Sequence, residues 1–437
     1  MLKNKNSHTS RYLLGLISIS IIIRIVIYIF VEPQITADSH SYFKLAEFIK
    51  EINLSNYCGL RAPGYPFLII LASFNNNIIM LFQLILGLLI SVNLFVIIYK
   101  LTQNNIFAFI SGILYIICYP FLIWETAILT ETLSVFFISS IFLLLLKVFE
   151  EPNKIIFSLL LGLCASLLAL TKPQFIIIIF ILFFFLLIYL EIQKILIKKI
   201  IRSLLCFILP VIILLGGWCL INLHYHDTFS LSTATGLHLS QQIRNFIGDA
   251  PDKYDYYKKM YIEQRKKEIL GKGDHYNTIW HIEKEMRERD SLSFAQLSKI
   301  FQQMFIETVM LQPNKYLKNV FHSWIFFWDQ DIWSDFEFIP HFFYEYFEKY
   351  LFFLIQFIFF LFPILYFFQK KKIDLSIMDK FFFLILYISA ISSSVIHALI
   401  ESPSPRLSVP TDILIIVAAI YALYTEIKIK IFIKIVD

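Results

Sequence analysis

Tyr12-Leu13-Leu14-Gly15-Leu16-Ile17-Ser18-Ile19-Ser20-Ile21-Ile22-Ile23-Arg24-Ile25-Val26-Ile27-Tyr28-Ile29-Phe30-Val31 holds one charge in twenty residues. As a helix it is about 30 Å long, the thickness of a bilayer's hydrocarbon layer. It is too long for a signal-peptide core and lacks a small-x-small site after it, so it reads as a retained span. Blocks of the same kind recur along all 437 residues, of which 58% are hydrophobic and 16% charged, with 46 Phe. A chain of this composition is not a set of soluble domains. In lipid each backbone polar group must be satisfied within its own segment, so apolar blocks of this length are helices.

The reading is an all-α polytopic membrane protein with about ten transmembrane helices, at 12–31, 78–99, 106–123, 131–148, 155–171, 174–190, 203–222, 350–368, 381–399 and 407–425. Thr171-Lys172-Pro173 marks a tight seam between the fifth and sixth, where proline ends one helix and opens the next. Residues 1–222 form an N-terminal transmembrane module, 223–349 a large and mostly helical outer loop, and 350–437 the C-terminal spans.

Lys and Arg give the orientation. Seventeen lie in the connections on the N-terminal side, against five (Lys44, Lys50, Arg61, Lys172 and Arg406) in the short connections opposite. Both termini are therefore expected in the cytoplasm, with the chain a multi-pass protein of the plasma membrane, taken as a bacterial inner membrane. A net charge of +5 calls for no nucleic acid. Four of five cysteines fall in apolar segments as small core residues, and Cys58 has no evident disulfide partner.

Outside the first span stands Ala37-Asp38-Ser39-His40-Ser41-Tyr42, followed by Arg61-Ala62-Pro63-Gly64-Tyr65-Pro66 in the same loop (32–77). An acid and a base beside a rigid turn suit a site that handles a polar group at the membrane surface. Stretches 40–51 and 64–74 read as interfacial helices, the first with Tyr42, Leu45, Ala46 and Ile49 on one face and Lys44, Glu47 and Lys50 on the other. In the large loop 252–270 is rich in Tyr and Lys, and 292–311 reads as amphipathic, broken by Pro313. Segment 280–290 pairs Glu283 with Arg287 and Glu285 with Arg289. Trp324, Trp328 and Trp333 read as an aromatic belt on the return to the membrane.

Each candidate has a structural reading beside its functional one. Asp38 is a general base or a helix N-cap. Arg61 grips an anionic headgroup or snorkels. Of Glu125 and Glu131, one helps Asp38 and the other is a solvated helix end. Lys172 and Arg406 contact a lipid phosphate or snorkel, with His397 and Glu401 placed to hold Arg406. Arg24 and Asp412 lie inside spans and read as structural. His224 and His226 lack a third ligand at a metal-site spacing, so no metal is assigned, although a divalent cation is compatible with the outer rim.

In order along the chain come Arg24; Asp38-Ser39-x-x-Tyr42-x-x-x-Ala46; Arg61-x-Pro-Gly-Tyr-Pro; Tyr119-Pro120 with Thr130-Glu131; Leu170-Thr171-Lys172-Pro173; Gln312-Pro313-Asn314-Lys315-Tyr316; and Arg406-x-x-x-Pro410. This series resembles the polytopic glycosyltransferases of the GT-C superfamily related to protein O-mannosyltransferases and to the lipid A aminoarabinose transferase. Segment 235–290 lies outside the resemblance. The resemblance implies an inverting transferase with a polyprenyl-phosphate-linked sugar as donor and an envelope lipid, glycan or protein as acceptor. It further implies Asp38 as the catalytic acid and Arg61, Lys172 and Arg406 as holders of the donor phosphate, and the residues themselves add Glu131 as the carboxylate that helps Asp38. Tyr42, Tyr65, Glu125, His397 and Glu401 would support them. A transporter or flippase would instead have charges along a midplane path, discontinuous helices and repeats. A polytopic chain with outer loops would also serve as a polymerase or ligase of lipid-linked glycans, or as a structural scaffold.

Overall fold

The computed structural model describes residues 2–271, 277–329, 349–368, 375–401 and 405–436. Within them the chain is helical and polytopic in character, with one isolated β-bridge, between Gln34 and Ala127. Eight helical segments are long and apolar enough to cross a membrane. Side chains such as Phe180, Phe184, Leu205, Ile212 and Phe353 stand well exposed on their outer faces. Apolar surface on that scale fits lipid as the solvent.

The order is α1 (Leu2–Phe30), α2 (Ala37–Lys50), α3 (Gly64–Leu71), α4 (Asn76–Thr102), α5 (Asn105–Ile117), α6 (Tyr119–Thr126), α7 (Glu131–Glu150), α8 (Ile155–Thr171), α9 (Ile176–Ile192), α10 (Ile197–Val211) and α11 (Gly217–His226). Five helices follow between the spans: α12 (Thr235–Gln242), α13 (Asp255–Leu270), α14 (Thr278–Asp290), α15 (Phe294–Leu311) and α16 (Pro313–Phe327). The chain then continues through α17 (Lys349–Phe368), α18 (Ile377–Ile400) and α19 (Val409–Val436).

Three expectations need correction. The single span at 106–123 is two helices, α5 and α6, bent by 55° at Cys118. Pro120 sits in the first turn of α6. It has no N–H to continue the ladder, and its ring crowds the carbonyl four residues back. The span at 203–222 is longer, Ile197–His226. Here Pro210 is tolerated within the helix, followed by a π-turn at Ile212–Gly216. Such single π-turns occur where a helix is bent or kinked. Of the charge pairs proposed in α14, Arg287 Nε reaches Glu283 at 2.6 Å, but Arg289 lies 3.5 Å over the Tyr256 ring instead of beside Glu285.

Pro313 both ends α15 and opens α16. The Trp residues do more than line an interface: Trp324 Nε1 donates to Ser394 Oγ on α18 at 3.0 Å, and Trp328 packs on Phe359 and Phe360 of α17. Trp333 lies outside the described residues.

Helix α8 packs on α10 by close backbone approach. Ser158 and Gly162 stand one turn apart on the shared face, where the Ser158 and Ser203 hydroxyls meet at 2.6 Å. A Cβ on Gly162 would overlap the Phe207 carbonyl. Small residues that let backbones meet drive packing in lipid, where the hydrophobic effect does not. Gly162→Leu is expected to lower stability by about 1–3 kcal/mol or more, read as a reduced melting temperature of the purified full chain in detergent.

Candidate functional site

Helix α2 opens with a capping box in which Thr36 is the N-cap and Ser39 reaches back to it. Asp38 is therefore not the cap. It lies in the first helical turn, and its side chain is free for other partners. Tyr42, Leu45 and Ala46 are buried and Lys44, Glu47 and Lys50 lie towards the outside, as their spacing predicts for an interfacial helix.

Three local devices bring distant segments to Asp38. The bridge joins Gln34 to the stretch after α6, with Gln34 N donating to Thr126 O at 3.0 Å and Ile128 N to Gln34 O at 2.9 Å. Ser39 Oγ adds a bond to Ile128 O at 2.9 Å. Together they set the start of α2 beside the start of α7, where Glu131 stands. The second device is Gly64, at which a Cβ would come within 2.6 Å of Thr171 Oγ1. That close approach seats the Arg61–Gly64 turn against the end of α8 and Lys172. The third is Gly59, with φ +80°, a left-handed conformation natural to glycine. Thr233 N donates to the Gly59 carbonyl at 2.9 Å and Ser232 Oγ to Leu60 O at 2.8 Å, strapping the stretch before α12 onto the connection between α2 and α3.

The result is one charged cluster. Arg61 Nη2 contacts Asp38 Oδ1 at 2.5 Å, and Arg406 Nη2 contacts Asp38 Oδ2 at 2.8 Å. Arg406 Nε also reaches Glu131 Oε1 at 3.1 Å, and Lys172 Nζ meets the same oxygen at 3.0 Å. Glu131 is fully buried, and its Oε2 has no hydrogen-bond partner among the described residues. Burial by itself would raise the Asp38 carboxyl, but Arg61 and Arg406 hold it well below the usual carboxylate range.

Arg61 is fixed from several sides. Its Nε donates to Ser41 Oγ at 2.9 Å, its guanidinium lies 4.7 Å over the Tyr42 ring, and its backbone carbonyl accepts from Tyr57 Oη at 2.5 Å. Tyr42 meets Tyr65 edge-on at 5.3 Å, and Tyr65 Oη donates to Gln83 Oε1 at 2.7 Å. The aromatic face and the carboxylate make Arg61 a preorganised cation.

Glu125 is not a solvated helix end. It is fully buried, 2.7 Å from Arg24 Nη2, and accepts from Tyr115 Oη at 2.9 Å. Arg24 also donates to Ser20 Oγ. Gly87 leaves the space, since a Cβ there would overlap the Glu125 carboxylate. Gln83 Nε2 donates to the carbonyls of Glu125 (3.0 Å) and Ala127 (2.8 Å). The pair thus sits behind the site and holds α6. Asp412, also within a span, accepts from Ser408 Oγ at 3.2 Å in the first turn of α19.

Neither His397 nor Glu401 holds Arg406. His397 Nδ1 lies 2.6 Å from Ser393 O, and Nε2 lies 3.2 Å from the Gln174 amide. Glu401 stands 3.8 Å from His238 Nδ1 of α12. Burial would raise the Glu401 carboxyl, but His238, His397, Lys172 and Arg406 together lower it. His238, Ser41, Tyr57 and Gln83 also belong to the site, beyond the residues that the sequence marks. Ser41 and Tyr57 stand near Asp38 and Arg61 in sequence, but His238 and Gln83 carry no local signal.

His224 and His226 gather no metal set. Among the described residues no group of three or more His, Cys, Asp or Glu is placed to hold an ion, and His226 packs against the Tyr57 ring at 6.1 Å. The arrangement can grip an anion with three cations while two carboxylates keep those cations aligned. No protein-family model matches the chain, and no curated protein matches it.

Proposed function

We propose that this chain is an inverting membrane glycosyltransferase of GT-C type. It moves a sugar from a polyprenyl-phosphate donor to an envelope lipid, glycan or protein. One observation carries the reading: Arg61, Lys172 and Arg406, from three separate connections, converge on Asp38 and Glu131. Scattered interfacial cations that merely snorkel have no reason to meet.

The chemistry follows from the substrate class. The isoprenoid tail stays in lipid while its phosphosugar must reach water, so the site belongs at the rim. As the bond from the anomeric carbon to phosphate oxygen breaks, the phosphate leaves with the electron pair. Preorganised guanidinium and ammonium groups stabilise that charge. Arg61 and Arg406 can each keep one nitrogen on Asp38 and present another to phosphate, which the fork of the guanidinium allows. Asp38 keeps the arginines facing one another. As the proton acceptor it would first have to give up both ion pairs.

The topology in this proposal has ten crossings. Among the described residues eight helices meet the length and composition of a span. The bent pair α5–α6 makes a ninth and the 17-residue α8 a tenth. Both termini are then cytoplasmic and the cluster faces outward, which the excess of Lys and Arg on the opposite side supports.

Two observations favour transport as a second reading: the bend at Cys118, and the Arg24–Glu125 pair within spans. That pair is mutually neutralised and closed in by Tyr115. Deleting the gene, comparing envelope glycans by mass spectrometry, and restoring with wild type or Asp38→Asn separates the two. A missing sugar returned by wild type alone is the expected result. Glycans of unchanged composition after deletion overturn the transferase reading.

A further inference from the structure

A hydroxyl that attacks an anomeric carbon must lose its proton, and Asp38 is poorly placed to take it. Both Asp38 oxygens are engaged by guanidinium groups, at 2.5 and 2.8 Å. The segment between the spans brings a second candidate. Helix α12 packs over the rim, strapped by Thr233 to the Gly59 carbonyl and by Gln242 Nε2 to the Glu401 carbonyl. His238, in the middle of that helix, stands with its Nδ1 3.8 Å from Glu401 Oε1 and its ring edge-on to Trp280 at 5.0 Å. Its side chain keeps 26% of its exposure, so a hydroxyl can approach it.

We propose that His238, oriented by Glu401, receives the proton of the attacking acceptor hydroxyl, while Asp38 remains the partner of the arginines. The inference rests on the transferase reading. Glu401 lies nearest Nδ1, at 3.8 Å, a charge contact that favours the imidazolium, and Nε2 is the nitrogen we assign to take the proton. The hydroxyl oxygen bonds to the anomeric carbon, the bond to phosphate oxygen breaks, and the proton moves to Nε2. The resulting imidazolium faces the Glu401 carboxylate and later returns its proton to water.

The charged groups around His238 are Glu401, Arg61 and Asp38. Burial lowers its pKa below the ordinary value of 6.5 and Arg61 works the same way, while Glu401 and Asp38 pull it back up in part. The imidazole is therefore neutral, and able to accept a proton, at neutral pH.

The test uses the full chain in vesicles, with membranes from deletion cells supplying donor and acceptor. Initial rates at low substrate follow kcat/KM and report free-enzyme ionisations. Wild type is expected to lose activity on acidification through a single limb below pH 6.5. His238→Gln is expected to lose that limb, to slow about 10²–10⁴-fold, and to recover in part with added imidazole. Glu401→Gln removes a group that favours the imidazolium, so its limb is expected to move to lower pH. An Asp38 base would titrate far below any of these limbs. Persistence of the limb in His238→Gln, an unmoved limb in Glu401→Gln, or a folded His238→Gln that imidazole does not restore overturns this inference alone. A wild-type chain that transfers no sugar overturns the transferase reading with it.

Discussion

Asp38→Asn is expected to cut sugar transfer about 10²- to 10³-fold, the usual cost of removing one element of a preorganised electrostatic site. The substitution keeps the shape of the side chain and removes its charge. One oxygen can still accept from a guanidinium, but the amide nitrogen now faces the other as donor against donor. Arg61 and Arg406, set at 2.5 and 2.8 Å from the carboxylate, lose the anion that aligns them. Donor binding is not expected to weaken, because the three cations remain and lose an anion that offsets their charge. The loss should therefore appear in kcat while the donor KM holds or falls. A variant with normal kcat would remove Asp38 from the site.

Arg24→Leu is expected to destabilise the whole fold by about 3–5 kcal/mol, the range for breaking a buried ion pair from one side. Glu125 would be left fully buried with its charge facing only the Tyr115 hydroxyl. Changing both residues, as Arg24→Met with Glu125→Met, should recover most of the loss, because replacing a buried pair with apolar groups of similar volume is often neutral. Melting of the purified full chain in detergent reads both effects. Equal melting temperatures for wild type and Arg24→Leu would show that the pair contributes nothing.

Much of this arrangement was legible in the sequence, for a physical reason. Charges are scarce in such a chain, so Asp38, Arg61, Lys172 and Arg406 stood out at span ends. Helix α2 was legible because its apolar residues follow a helical period. What escaped depends on direction and distance. Hydropathy counts apolar residues but does not see the axis they lie along, so the bend at Cys118 read as one straight span. Glu125 and Glu131 looked alike as carboxylates near one loop, yet one faces Arg24 and the other Arg406. His397 and Glu401 lie near Arg406 in sequence, but α18 ends with their side chains turned to Ser393 and to His238. His238 belonged to a stretch without a recognisable pattern, and contacts made far along the chain, among them the straps at Gly59 and Glu401, bring α12 beside Glu401.

The Arg24–Glu125 pair also has a consequence for biogenesis. Its partners are 101 residues apart in the chain. At roughly 5–20 residues per second, the ribosome delivers the glutamate about 5–20 s after the arginine. Through that interval the first helix carries an uncompensated cation, at about 2.5–3.5 kcal/mol if it lies at mid-bilayer. Nascent chains stalled before Glu125 should therefore be the ones that cellular quality control finds and removes first.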